Sequence, residues 1–412
     1  MRFGFIGSGF ISTFQATAMS MVRGAEVSAV LRRSGSDALI QHCVQLGLGT
    51  PRAYDTIEAL VANCDVVAIY NPNHARIETV EAIVAAVTAG AKLQGIVIEK
   101  PLGRTVAEAR RLVELVRGAG LATAYFENQI FMGSLEAQLR QLRPTIEAMG
   151  PPSLVRSAEE HGGPHAPWFW DPTRLGGGVL MDMGCHSIAV AQYLLTPPGK
   201  PIDFLQPIAV SCDVSLLKWG DAPWRDQLLQ RMGVDYAKTP AEDFATGIVT
   251  YRNPETGQIV KAQFTDSWMY EKQGLRLSMD GMGPGYAFEV NSLKSPAEVF
   301  VGDVAAESLA DAESALEKST ASRGLLTIQP NEADLYGYVA ENRDAIERFA
   351  AGKDGLLPWE FGVEITRLLM AAYYSAEQRA VVDLTDPAVQ RTLEQFVPAI
   401  AKGEGHSVLG RE

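Results

Sequence analysis

The chain has few cysteines, a shortage of positive charge and no apolar run of the roughly 18 residues that a membrane helix needs. The first strand starts at Arg2, so we expect no signal peptide. The net charge of −13 disfavours nucleic acids and anionic membranes, which bind clustered Lys and Arg. No CxxC pair indicates a zinc knuckle or a disulfide framework, and a reducing compartment fits the four scattered cysteines, Cys43, Cys64, Cys185 and Cys212. We therefore expect a cytoplasmic protein with a small-molecule ligand and no nucleic-acid or membrane partner.

Length and composition predict a globular protein with more than one core. The chain has 412 residues, of which 47% are hydrophobic and 21% are charged. We expect a first domain at residues 1–126, a second domain at 127–401 and a loose polar tail at 402–412.

The N-terminus reads as a short apolar strand, a glycine turn and a helix. Missing side chains at Gly7 and Gly9 would let the backbone approach a pyrophosphate held at the helix N-terminus. Ser12 replaces the third glycine of this dinucleotide fingerprint. The candidate cofactor-binding residues of this turn are Gly7, Ser8, Gly9, Phe10 and Ile11. Strands and helices alternate from here to a strand at residues 122–126, which predicts a parallel Rossmann sheet.

The second strand ends in Arg32, Arg33 and Ser34 without the acidic residue that would accept hydrogen bonds from a free ribose 2′-hydroxyl. Two guanidiniums suit a 2′-phosphate, so we predict NAD(P) binding with a preference for NADP, through Arg32 and Arg33. The alternative is that both arginines are solvated loop charges and NAD still binds.

Two further loops follow strands whose carboxyl ends should face the cofactor. The first contains Asn71, Pro72, Asn73 and His74, and the second contains Glu99, Lys100 and Pro101. We interpret these residues up to Lys100 as cofactor-binding. An ordinary reading of Lys100 is a solvated strand-end lysine, but Pro101 restricts the preceding backbone and fixes where that lysine points.

The segment from Gly176 to Tyr193 predicts a helix buried on all sides, since its side chains are apolar or small on every face. Its only charged side chain is Asp182, and His186 follows four residues later, on the same face of a helix. One interpretation is structural: Asp182 sits at the positive end of the helix and His186 is a satisfied core histidine. The other is a proton-handling pair.

Taken together, these features resemble the glucose-fructose oxidoreductase, inositol dehydrogenase and rhizopine-catabolism family, called Gfo/Idh/MocA. The residues that carry the resemblance span nearly the whole chain and are Gly7-Ser8-Gly9, Pro72-Asn73, Glu99-Lys100-Pro101, Gly176-Gly177-Gly178, Asp182, Gly184 and His186, with weaker similarity at Glu242-Asp243 and Ser267-Trp268. The resemblance implies a fold of class α/β plus α+β, in which a Rossmann domain precedes a domain built on a large, mainly antiparallel open sheet.

The resemblance also implies that Lys100, Asp182 and His186 are catalytic. The chain departs from the family at Arg76, where a second histidine is common, and at Ala189, where an aspartate is frequent.

The second domain shows strand patterns, with apolar residues at alternate positions and no crossover helices between them, which agree with an antiparallel sheet. Two amphipathic segments, at 334–351 and 359–378, are expected to pack beneath or across that sheet, and residues 218–240 read as an insertion.

An aromatic loop at residues 159–171 leads into the buried helix. Its rings could stack on a sugar, or they could fasten the loop to the sheet. The predicted substrate-binding residues are Asn128, His161, His165, Trp168, Trp170 and Arg174. A zinc site formed by His161 and His165 with Cys185 and His186 is an alternative, but hydride transfer needs no metal, and we predict none.

We predict hydride transfer between the nicotinamide and a ring hydroxyl or ketone carbon of a sugar, cyclitol or related polyol. In this reading His186 is the better general base, Asp182 orients it or hydrogen-bonds the substrate, and Lys100 holds the reacting oxygen. Lys100 is the alternative proton acceptor. The alternatives are glycoside cleavage by oxidation at C3 with the cofactor recycled, and a non-catalytic ligand-sensing co-regulator. An uncovered sheet face would favour a homodimer or homotetramer.

Overall fold

The computed structural model describes residues 1–272, 274–294, 298–301, 324–327 and 331–410. The strands are β1 (Arg2–Ile6), β2 (Glu26–Leu31), β3 (Arg52–Tyr54), β4 (Val66–Ile69), β5 (Gly95–Glu99), β6 (Ala122–Phe126), β7 (Leu154–Glu160), β8 (Gln206–Ser215), β9 (Phe244–Arg252), β10 (Ile259–Ser267), β11 (Arg276–Gly283), β12 (Tyr286–Asn291), β13 (Glu298–Val301), β14 (Gly324–Thr327) and β15 (Val382–Asp383). The α-helices are α1 (Phe10–Met19), α2 (Ser36–Gln45), α3 (Ile57–Val61), α4 (Arg76–Thr88), α5 (Val106–Gly118), α6 (Gly133–Met149), α7 (Pro172–Leu175), α8 (Cys185–Leu195), α9 (Ala222–Met232), α10 (Glu332–Leu335), α11 (Tyr338–Ala350), α12 (Trp359–Gln378), α13 (Pro387–Gln395) and α14 (His406–Leu409).

Two compact units divide the chain. Unit 1 comprises Met1–Gly133 and Ala333–Thr366, and unit 2 comprises Ser134–Glu332 and Arg367–Glu412. The predicted boundary at residue 126 lies near the first break, but residues 333–366 belong to unit 1 and not, as predicted, to the second domain. None of the helices within the described ranges has both the length and the apolar character needed to span a bilayer.

A six-stranded parallel sheet forms the centre of unit 1, in the order β3-β2-β1-β4-β5-β6. Its strands are apolar on both faces because helices cover both sides of a parallel sheet. The order reverses between β1 and β4, which is the position where Rossmann sheets bind their ligands. The predicted Rossmann sheet is confirmed.

Helix α11 packs within unit 1, where it provides hydrogen-bond partners for a buried polar side chain on α1. Gln15 is fully buried, and its amide nitrogen donates to Glu99 Oε1 at 2.7 Å. Asn342 on α11 donates to Gln15 Oε1 at 2.6 Å. The prediction that α11 packs across the sheet of the second domain is therefore wrong.

The large sheet of unit 2 has the order β12-β11-β7-β10-β9-β8-β15. Only the pairing of β7 with β10 is parallel, and the other pairings are antiparallel, so the predicted, mainly antiparallel sheet is confirmed. Helix α8 lies against β7 and β10, where Ser157 Oγ on β7 donates to Ser187 O at 2.7 Å. The predicted insertion at residues 218–240 contains α9.

The buried segment that carries Asp182 is not one α-helix. A π-helical turn at Leu180–Gly184 runs directly into α8, so the predicted helix buried on all sides is present after the three glycines, but its first part is π-helical. The predicted loose tail is also partly ordered, since α14 lies in it and His406 Nε2 is 3.2 Å from Ala237 O.

Candidate functional site

The turn between β1 and α1 has the features of a pyrophosphate cradle. Gly7 has a φ of 119°, and a Cβ there would lie 2.8 Å from the backbone of Tyr70, so only glycine fits. A Cβ at Gly9 would meet no atom within 4 Å, and no side chain caps α1. The backbone N–H groups of the first turn, which includes Phe10 and Ile11, therefore lie beside open space, and these residues fit a dinucleotide phosphate.

The loop after β2 presents the predicted basic residues to solvent. Arg32 Nε donates to Asp55 Oδ1 at 2.8 Å, in an exposed ion pair. Arg33 donates to the carbonyl oxygen of Arg32 at 2.7 Å and is also exposed. Ser8 Oγ donates to Ser34 O at 2.7 Å, which joins this loop to the glycine turn. Both arginines thus lie on a loop held next to the cradle.

The loop after β4 is internally hydrogen-bonded. Asn71 Nδ2 donates to Thr79 Oγ1 at 2.7 Å, so its side chain is directed at α4. Pro72 and His74 are half-buried, and Asn73 is buried with 3% of its surface exposed. The predicted contacts of these four residues with the cofactor stay predictions.

Lys100 follows β5 on a loop that a buried arginine holds. The peptide bond between Lys100 and Pro101 is cis. Arg76, at 3% exposure, donates to Pro101 O and to Lys100 O, the latter at 3.3 Å. In the sequence, Arg76 stands out only as a departure from the family. Its position as the first residue of α4 was the one sequence feature that pointed to its contact with the Lys100-Pro101 loop.

Glu99 and Asn128, two predicted ligand-binding residues of unit 1, form hydrogen bonds within the fold. Glu99 has 7% of its surface exposed, and its carboxylate accepts a hydrogen bond from Gln15. Asn128 is 5% exposed, and its amide donates to Tyr336 O at 2.7 Å. The expected contacts of Glu99 with the cofactor and of Asn128 with substrate stay predictions.

Asp182 and His186 are both buried in unit 2, with 4% and 3% of their surfaces exposed. Trp268 Nε1 donates to Asp182 Oδ2 at 3.3 Å. His186 Nε2 lies 3.9 Å from Glu159 Oε2, and that carboxylate is also buried. Buried charges are costly unless they are paired, and the imidazole of His186 lies at a distance where it can pair with the Glu159 carboxylate. Sequence reasoning missed Glu159, which looks like an ordinary strand residue.

The glycines before Asp182 make room for a buried carboxyl group. Glu242 Oε1 accepts hydrogen bonds from the backbone N–H of Gly178 at 2.9 Å, from that of Leu180 at 3.1 Å and from Tyr373 Oη at 2.6 Å. A Cβ at Gly177 would overlap Tyr373 Oη. Burial raises the pKa of Glu242 from 4.5 to about 7, although these hydrogen bonds oppose the shift. Because the glycines have no side chains, Glu242 and Tyr373 can hydrogen-bond to the backbone just before the π-helical turn.

The aromatic loop has a buried half. Trp170 is 2% exposed, and its Nε1 donates to Pro164 O at 3.0 Å. Its ring centroid lies 4.8 Å from that of Trp219 and 5.0 Å from that of Trp268. His161 is 1% exposed, and its Nδ1 accepts a hydrogen bond from Gly163 N at 2.9 Å. This ring therefore fastens the loop, and substrate contact through Trp170 stays a prediction.

The other half of the loop is accessible. Trp168 is half-buried, and its ring centroid lies 3.8 Å from that of Phe169. His165 is exposed, with its ring centroid 6.2 Å from that of Phe169. Arg174 on α7 is also exposed. These three predicted substrate-binding residues keep free surface, as ligand contact requires.

The two halves of the chain match known family models. Residues 1–126 match that of the oxidoreductase family with an NAD-binding Rossmann fold, and residues 140–281 match that of the GFO/IDH/MocA C-terminal domain. The chain belongs to the Gfo/Idh/MocA family of oxidoreductases. This confirms the resemblance inferred from the sequence and the assignment of the first domain as NAD-binding.

Individual relatives are distant. The chain is 25% identical to myo-inositol 2-dehydrogenase of Thermotoga maritima over 47% of its own length and 55% of that protein's. It is 26% identical to 1,5-anhydro-D-fructose reductase of Ensifer adhaerens over 53% of its length and 62% of the relative's. The chain therefore aligns with less than two thirds of each of these relatives.

Solved structures share the fold over nearly the full length. GenD2 from gentamicin A biosynthesis, in complex with NAD, has a TM-score of 0.71 at 20% identity and covers 94% of this chain and 97% of its own. Scyllo-inositol dehydrogenase of Lactobacillus casei, with NAD(H) and scyllo-inositol, has a TM-score of 0.65 at 15% identity, covering 94% and 99%.

Proposed function

We propose that this protein is an NAD(P)-dependent dehydrogenase or reductase that acts on a ring hydroxyl or ketone carbon of a sugar, cyclitol or related polyol. The observation that carries the proposal is the buried pair of Asp182 and His186 in unit 2 of a chain whose first domain is NAD-binding. The nicotinamide, when bound, accepts or donates the hydride. Relatives named as inositol dehydrogenase and anhydrofructose reductase support a cyclic polyol substrate.

In the proposed mechanism, oxidation of a secondary alcohol requires that a residue accept the hydroxyl proton. His186 takes that proton, because an imidazole titrates near neutral pH. Asp182 hydrogen-bonds the substrate or orients the imidazole, and Trp268 holds that carboxylate through its indole N–H. Lys100 holds the reacting oxygen and stabilises its developing negative charge. The hydrogen bonds from Arg76 to the Lys100 loop limit the backbone freedom of that lysine.

We propose NADP as the preferred cofactor. Arg33 and Arg32 lie on a loop that is hydrogen-bonded to the glycine turn through Ser8 and Ser34, and two guanidiniums suit a 2′-phosphate. Arg32 forms its ion pair with the exposed Asp55. An exposed ion pair contributes little free energy, so Arg32 can exchange this partner for a 2′-phosphate at little cost in stability.

A panel of sugars, cyclitols and sugar acids, each assayed with NAD and with NADP, tests this function. We expect NAD(P)H formation or consumption with at least one cyclic polyol or its ketone. A purified protein that binds the dinucleotide but is inert towards the whole panel would contradict the proposal and favour a non-catalytic co-regulator.

The half-buried pair of Trp168 and Phe169 favours a second candidate, oxidoreductive glycoside cleavage, because aromatic rings on a loop can pack against a sugar ring. Incubation with aryl glycosides discriminates between the two. Release of the aglycone without net NAD(P)H accumulation supports glycoside cleavage, and NAD(P)H accumulation without release supports the simple dehydrogenase.

We propose a homodimer or homotetramer that forms through the sheet face of unit 2 that carries Ile248. Ile248 and Val381 are exposed there, with 36% and 69% of their surfaces accessible, beside a groove of about 750 Å³. Light scattering during gel filtration measures the mass directly. A mass of about 45 kDa at micromolar concentration would contradict this assembly, because the monomer is 44.6 kDa.

A further inference from the structure

Glu159 is a buried carboxylate beside the proposed base. It lies on β7, its side chain is 7% exposed, and its Oε2 is 3.9 Å from His186 Nε2, whose side chain is 4% exposed. At that distance the two groups attract each other strongly if both are charged, because little water screens them. A buried carboxylate is also costly to the fold unless a nearby cation or hydrogen-bond donor compensates it.

Glu159 and helix α8 are both hydrogen-bonded to the carboxyl group of Asp266. Glu159 is paired in register with Asp266 of β10. Asp266 Oδ1 accepts hydrogen bonds from the backbone N–H of Glu159 at 3.3 Å and from Ser187 Oγ at 2.7 Å. Ser187 directly follows His186, so one buried group holds both sides of the Glu159–His186 pair in place.

We propose that Glu159 is a positioning residue for proton transfer, whose carboxylate orients the His186 ring and stabilises the imidazolium that forms when His186 accepts the substrate's hydroxyl proton. This inference rests on the proposed role of His186 as the base. The proton stays on His186 until it is released to solvent or returned to product. Glu159 remains a carboxylate throughout, and no bond to it forms or breaks.

The elements of unit 2 that pack around His186 carry other ionisable groups. They are Asp182 and Cys185, which precede His186, His161 after β7, and Asp266 on β10. Burial raises the pKa of Asp266 well above its usual range, and the negative charge of Glu159 raises it further. Asp182 has its own hydrogen-bond donor in Trp268.

The Glu159→Gln variant removes the charge and keeps the shape. A nearby carboxylate raises the pKa of an imidazole, so its loss lowers the pKa of His186. We expect the acidic limb of the pH profile of kcat/KM to move to lower pH by about one unit. Turnover should fall by a factor on the order of ten to a hundred, with KM changed much less. A residue that served only the packing of β7 would not move the limb.

Glu160→Gln is the matched control. Glu160 is the next residue on β7, so its side chain points to the opposite face of the sheet. It forms an ion pair with Arg276. We expect this variant to keep the wild-type pH profile. An equal shift of the limb in both variants would overturn the proposal.

Nuclear magnetic resonance of the histidine side chains tests the pairing without the reaction. The chain has six histidines, and the His186 signal is assigned by its loss in His186→Gln. We expect His186 to titrate about one unit lower in Glu159→Gln than in the wild type, and identical titration overturns the inference. If Glu159→Gln does not fold, Glu159→Asp, which shortens the reach, should lower the pKa less, and an unchanged value in it is equally contradictory. A shifted pKa together with a fully active His186→Ala variant would refute the proposed function while the pairing stands.

Discussion

Replacing Glu242 with glutamine should change how the stability of unit 2 depends on pH. The carboxyl group is fully buried, and one of its oxygens accepts hydrogen bonds from Gly178, Leu180 and Tyr373. Glutamine offers the same acceptor oxygen and has no charge at any pH. The variant thus isolates the cost of ionising this one group in the folded protein.

The size of the effect follows from the pKa. Burial raises the pKa of Glu242 from 4.5 to about 7, which corresponds to about 3 kcal/mol of unfolding free energy. Because the folded-state pKa is raised, the stabilising contribution of the neutral carboxyl is fully present below about pH 4.5 and is lost as the pH rises to about 7. The variant should therefore gain about 3 kcal/mol relative to the wild type between pH 4.5 and pH 8.

Urea unfolding followed by tryptophan fluorescence measures this difference. Five of the six tryptophans lie in unit 2, so the signal reports mainly on the unit that contains Glu242; they are Trp168, Trp170, Trp219, Trp224 and Trp268. Glu255→Gln, at an exposed ion pair with Lys200, is the control and should keep the wild-type pH dependence. A difference between Glu242→Gln and the wild type that stays constant from pH 4.5 to pH 8 would refute the reasoning.

Two further substitutions test the aromatic loop and the cofactor preference. Trp170→Ala should lower the unfolding free energy by about 3–5 kcal/mol, because it empties a site packed by Trp219 and Trp268, whereas Trp224→Ala, at 39% exposure, should cost far less; urea unfolding compares them. Arg33→Ala should raise the Kd for NADP about tenfold and leave that for NAD nearly unchanged, as measured by fluorescence titration. Equal changes for both cofactors would show that Arg33 does not contact a 2′-phosphate.

Much of the fold could be predicted from local patterns. Strand β6 was predicted with its observed bounds, because the apolar pattern of a strand is a local property of the sequence. The contact of Gln15 with Asn342, in contrast, joins residues 327 positions apart. No periodicity encodes such a pairing, so the assignment of residues 333–366 to the wrong domain could not be corrected from the sequence.

The site was predictable where its residue types were unusual and not where it depends on partners. Asp182 and His186 stand out in an apolar segment. The π-helical turn that carries Asp182 follows a loop that Glu242 and Tyr373 hold from distant parts of the chain, so the sequence predicts a simple helix instead. Glu159 could not be identified from the sequence, because only its distance to His186 in the folded chain marks it as part of the site.

The central claim concerns the roles of Lys100 and His186 in hydride transfer. It is tested most directly by the turnover of Lys100→Ala and His186→Ala on the best substrate of the panel, followed by NAD(P)H absorbance, with the cofactor Kd measured in parallel. Lys92→Ala and His406→Ala, at exposed positions, are the matched controls. We predict that each active-site variant loses a factor on the order of a hundred or more in turnover while its cofactor Kd stays near the wild-type value. Wild-type turnover in both variants would contradict the account.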